Sequence, residues 1–201
     1  MAVTDSMQKK ILMGIIAVLV IIGGIYFVGN TNKGSQLSSD GSAEYKQGVA
    51  LSNEGKFKEA LEQYEKSAER GNMPAAYMAG MYLTHGRAGI EKDITKGLSY
   101  LKKVADAGGK NAAYALGKAY MDPLKGVKRD YATGIKYIKM SAEKGHGTAM
   151  YVLGIYYEIG KGVEKDKQQA IEWLDKAAKT SKVSSIRTKA AARADRLRSA
   201  Q

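Results

Sequence analysis

The side chains that could do chemistry in this chain are few and far apart. Its two histidines, His85 and His146, fall in inter-helix loops of different repeat units, and there is no cysteine. A zinc site needs three or four nitrogen, sulfur or carboxylate ligands converging on one point. Two separated histidines do not suggest one. Asp93, Asp130 and Asp166 recur once per unit, each directly before a helical pattern. That is where a helix N-cap is needed, its side chain accepting from the first free backbone N–H groups. Capping is therefore the expected role, rather than calcium binding or catalysis. Neither a GxxxxGK(S/T) phosphate loop nor an HExxH motif occurs. Gly145-His146-Gly147 and Gly160-Lys161-Gly162 are expected to be turns. No nucleophile can be paired with an acid or base, so the chain is expected not to be an enzyme and to need no metal or cofactor.

The elements around these residues form a repeat. Ala76-Tyr77-Met78-Ala79-Gly80-Met81-Tyr82 falls in register, without a gap, within the stretches Ala113 to Tyr120 and Ala149 to Tyr157 when Gly80, Gly117 and Gly154, spaced 37 and 37, are superposed. A period of this length is a solenoid signature. Each unit is expected to be helix, loop, helix. Apolar residues such as Ala113, Leu116, Gly117 and Tyr120 share one face at helical spacing. The mid-helix glycine costs about 1 kcal/mol in propensity, so it needs a packing reason. A crossing aromatic ring is the expected one. The equivalent loop pairs Gly89-Ile90, Gly126-Val127 and Gly162-Val163 combine a glycine free to take positive φ with an aliphatic plug. Gln169, three residues after Asp166, has the place of a capping-box glutamine. A shorter, tetratricopeptide-like unit spans 43–72. A last amphipathic helix over 183–199 carries the stripe Val183, Ile186, Ala190, Ala194 and Leu197. It suits a C-terminal cap of the solenoid, with membrane or nucleic-acid docking as the alternative.

Before the repeats, Ile11 to Gly29 contains no charged residue. About 19 residues at roughly 1.5 Å each nearly cross a hydrocarbon core of roughly 30 Å. Lys9 and Lys10 precede it and favour a cytoplasmic N-terminus. An uncleaved transmembrane anchor is expected; a cleaved signal peptide and a buried soluble helix are the alternatives. The expected organisation is a short cytoplasmic N-terminus (1–10), a transmembrane helix (11–29), a flexible linker (30–42), the tetratricopeptide-like unit (43–72), three repeats (73–180) and a capping helix (181–201). The net charge is +12, which permits an anionic partner without choosing one. For a domain held outside the cytoplasm, nucleic acid is not the expected partner. An acidic protein, lipid head groups or an anionic wall are, beside a simple solvated basic surface.

The three units resemble Sel1-like repeats, relatives of tetratricopeptide repeats. The resemblance is clearest at Ala113-Tyr114-Ala115-Leu116-Gly117 with Tyr120, and over Gly162 to Ala178. Gly97 and Gly134 depart from it by replacing an alanine, and Asp122-Pro123-Leu124 replaces a glycine-rich loop entry. The departures are expected to weaken local stability. The resemblance implies an all-α, α/α solenoid that grips a protein partner on a curved surface. Together with the expected anchor, it gives a scaffold or adaptor in a bacterial envelope complex, on the outer side of the cytoplasmic membrane, as the expected function. An immunity protein against a delivered toxin and an accessory subunit of a membrane assembly are the alternatives. The surface residues expected to meet the partner are Tyr82, His85, Lys118, Met121, Tyr157 and Glu158.

Overall fold

The computed structural model describes residues 40–123 and 126–200. These form α1 (Ser42–Asn53), α2 (Phe57–Glu69), α3 (Met73–His85), α4 (Ile94–Asp106), α5 (Lys110–Met121), α6 (Tyr131–Glu143), α7 (Gly147–Ile159), α8 (Lys167–Thr180) and α9 (Ser184–Ser199). There is no strand among the described residues. Each helix packs on its neighbours in sequence, and α9 also reaches α7. The result is a solenoid of four helix pairs closed by α9. The expected membrane helix (11–29), the residues before it and nearly all of the expected linker lie outside the described residues. Among those described, no helix is long and apolar enough to cross a membrane.

The small residues of the repeat set how closely the two helices of a pair approach. A methyl group on Gly117 would come within 2.8 Å of the Gly134 carbonyl and of Ile138, and one on Gly80 within 3.0 Å of the Gly97 carbonyl and 2.9 Å of Leu101. In the third repeat Gly154 faces Leu174 and the Ala170 carbonyl. The crossing partner is thus an aliphatic side chain and helix backbone, not the expected aromatic ring. Only in the first pair does a ring do this, with Tyr64 lying 2.7 Å from where a Gly48 methyl would sit. Gly97 and Gly134 also correct the expectation that they simply weaken the fold. A methyl on Gly97 would meet Thr84, and one on Gly134 would meet Met121. The larger side chain on one helix fills the space left by the glycine on the other.

Caps and loops fix the ends. Asp93, Asp130 and Asp166 accept from the N–H of Lys96, Thr133 and Gln169 at 2.9, 3.0 and 2.9 Å. Such a cap contributes about 1 kcal/mol. The same three residues close their loops from the other side. Their own N–H groups donate to the carbonyls of Leu83, Tyr120 and Tyr157, which are equivalent positions of successive units. Gly89, Gly126 and Gly162 take φ of 79°, 90° and 77°, where a side chain is strained. Gln169 does not complete a capping box, because its side chain turns to Glu172 at 3.3 Å. The domain begins slightly earlier than expected. Gly41 stands at the N-cap of α1, and its buried carbonyl accepts from Ser67 Oγ at 2.6 Å.

Candidate functional site: a groove between α3 and α5

One face of α3 and one of α5 enclose a groove of about 550 Å³. From α3 come Tyr77, Met81 and His85, four residues apart and therefore stacked on one side of the helix. From α5 come Asn111, Ala115 and Lys118, with the same helical logic, and Asp122 caps its C-terminal end. Leu98 and Leu101 of α4 lie beneath, and His146, just before α7, closes one end. The ring of His146 stacks on Tyr114 at 4.6 Å and 18°. Tyr77 and Tyr114 are half-buried, and that burial pushes both phenols above their usual range. They stay neutral and can donate a hydrogen bond.

The two histidines are not idle loop residues. His146 is the N-cap of α7, its Nδ1 accepting from the Ala149 N–H at 3.1 Å. The neutral ring therefore carries its proton on Nε2. Burial first, and the nearby Lys110 charge second, lower its pKa below the ordinary imidazole value of 6.5. The unfolded chain then takes up this proton before the folded one does. Stability from this residue is complete above about pH 6.5 and falls as pH drops through that value toward the depressed folded one. His146→Asn keeps a capping acceptor and cannot titrate. Its unfolding midpoint is expected to fall less than that of the wild type between pH 7 and 5, which parallel denaturation series would measure. His85 ends α3, exposed at the groove rim, with Nδ1 2.9 Å from Thr84 Oγ1.

Of the residues expected to meet a partner, His85 and Lys118 are exposed and line this groove. The others do not. Tyr82 is only 2% and Met121 5% exposed. Helix rotation explains this: at about 100° per residue, Tyr82 is turned well away from the Tyr77–Met81–His85 line and points into the core. Glu158 is partly exposed but committed, its carboxylate paired with Arg193 and Arg196 of α9. Tyr157 is half-buried against the C-terminal core. Tyr77, Met81, Asn111, Tyr114 and His146 line the groove without being among the residues expected to meet a partner. Tyr77 and Tyr114, one period apart, carried the available signal.

Part of the basic surface is absorbed by the fold. Arg87 lies over Phe57 and Tyr82, each at 5.1 Å, and Lys161 over Tyr131 at 4.3 Å. Lys102 pairs with Asp106, and Lys103 Nζ donates to the Ala68 carbonyl at 3.3 Å. Among the described residues, no group of three or more histidines and carboxylates could hold a metal ion.

These features define an all-α solenoid of short helix pairs with a partly apolar groove. The Sel1 repeat model matches residues 74–109, 110–146 and 147–179. The chain belongs to the Sel1 repeat family, whose repeats generally mediate contacts between proteins. A protective antigen of uropathogenic Escherichia coli with an SLR fold is 31% identical, at a TM-score of 0.63 over 72% of this chain and 31% of that one. This chain thus spans about a third of that protein's length. A Sel1 repeat protein from Oxalobacter formigenes is 22% identical, at a TM-score of 0.63 over 77% of this chain and 67% of that one. Cysteine rich protein B of Helicobacter pylori is 24% identical, at a TM-score of 0.50 over 64% of this chain and 90% of that one. A search of the curated proteins found no match.

Proposed function

We propose that this chain is a membrane-anchored scaffold of a bacterial envelope complex that holds a segment of another protein in the α3–α5 groove. The groove carries this reading. It has the size of a ligand site of roughly 300–1,000 Å³, its walls are half-buried tyrosine and methionine, and tyrosine is enriched among residues that dominate binding energy. Ala115 lies in the wall with a small side chain, so Ala115→Trp fills the groove while leaving the helix crossings alone. In-cell crosslinking followed by purification of the full chain in mild detergent is expected to yield one dominant partner, lost with Ala115→Trp. Equal capture by both forms would place the binding surface elsewhere.

The uncharged sequence from Ile11 to Gly29, preceded by Lys9 and Lys10, supports an anchor that leaves the repeats outside the cytoplasm. Because the chain has no cysteine, one introduced at exposed Lys189 reports the side directly. It is expected to react with a membrane-impermeant maleimide in intact spheroplasts. Protection until the membrane is opened would put the repeats in the cytoplasm.

A further inference from the structure

Resting on that reading of the groove, we infer that its occupant is an acidic peptide segment, with an apolar side chain against Tyr77, Met81 and Tyr114 and a carboxylate facing Lys118. The polar groups at the Tyr114 end are almost all donors or cations. Lys118 is exposed on the groove wall and is in none of the ion pairs among the described residues. His146 offers Nε2–H, because its Nδ1 is occupied by the Ala149 amide. Asn111 adds an amide, and the Lys110 charge is felt at His146. The single groove carboxylate, Asp122, lies one turn beyond Lys118, its N–H donating to the Lys118 carbonyl at 2.8 Å; its side chain forms no ion pair with Lys118 among those found in the described residues, and Tyr131 and Tyr156 of the next loop and helix feel its charge.

Charge of this kind selects partners more than it adds affinity. A neutral apolar segment could offer Asn111 and the imidazole N–H its backbone carbonyls, but it would bring no charge to complement Lys118. A basic segment would add like charge to a chain already at +12. An acidic segment satisfies both requirements and is steered toward the protein by its net field.

The test uses the full chain in a neutral maltoside detergent, with methyl-labelled methionine observed by NMR. The Met81 signal, assigned through Met81→Leu, reports the groove. Two probes are titrated: acetyl-Gly-Leu-Glu-Leu-Glu-Gly-amide and its twin with glutamine at both glutamate positions. The acidic peptide is expected to move the Met81 signal to saturation, with the twin about tenfold weaker. Lys118→Gln, which changes an exposed side chain, is expected to erase about that difference while leaving the twin unchanged. Equal binding of the two peptides would overturn the acidic inference and leave the groove as a protein-binding site. A Met81 signal unmoved by either would count against the groove itself. Acidic-peptide binding that ignores Lys118→Gln and spares Met81 would assign the attraction to the general basic surface and overturn the inference.

Discussion

Tyr82→Ala is expected to lower the stability of the N-terminal half of the solenoid by about 3–5 kcal/mol, the range for emptying a buried aromatic site. The ring is almost wholly enclosed. It lies edge-on to Tyr64 at 5.6 Å and to Phe57 at 6.2 Å, and its hydroxyl shares a 2.6 Å hydrogen bond with Ser52. It therefore ties α3 to both helices of the preceding pair, and Arg87 covers the cluster from the loop side. Tyr82→Phe keeps the ring and loses the hydroxyl contact, so about 0.5–1.5 kcal/mol is expected. In a solenoid each unit leans on its neighbours alone, so the larger loss should appear as early protease cleavage around α1 and α2. Urea denaturation followed by circular dichroism, with limited proteolysis, would measure both. A Tyr82→Ala protein with the wild-type midpoint, impaired only in partner capture, would mean that Tyr82 is a surface anchor after all.

That residue also marks where sequence reasoning runs out. The period of 37, the loop glycines and the three capping aspartates were legible because each depends on local geometry: a positive φ, or an oxygen within reach of the next turn. Which tyrosine faces the core depends on helix rotation within the assembled solenoid. Tyr77 and Tyr82 are both helical tyrosines five residues apart, and nothing in composition separates them. The groove was harder still, since it joins α3, α5 and the residue before α7. His146 reads in the sequence as one more loop residue because the ring it stacks on, Tyr114, lies on an earlier helix. Glu158 looked free because its ion partners lie 35 and 38 residues further along. Those partners sit on α9, whose sequence identified it as a cap without identifying what it covers.

The same distinction separates the mid-helix glycines, which look identical in sequence and do not face identical obstacles. Gly117→Ala is expected to be the most damaging of the three equivalent changes, at about 2–3 kcal/mol, with Gly154→Ala nearer 1–2. In an open helix each would instead gain about 1 kcal/mol from propensity. The difference lies in what the new methyl meets. At Gly117 the Gly134 carbonyl stands 2.8 Å away, whereas at Gly154 the nearest backbone atom, the Ala170 carbonyl, is at 3.1 Å. Side chains crowd both sites to a similar degree, with Ile138 at 2.8 Å and Leu174 at 2.8 Å. A side chain can rotate aside, but a helix carbonyl moves only with its helix. Adding Ile138→Ala to Gly117→Ala separates the two contributions through a double-mutant cycle. If the backbone is the obstacle, the two losses stay nearly additive and the pair is much less stable than either single variant. Substantial rescue by Ile138→Ala would show that the side chain was the barrier, and a higher midpoint for Gly117→Ala alone would show that the helices do not approach this closely.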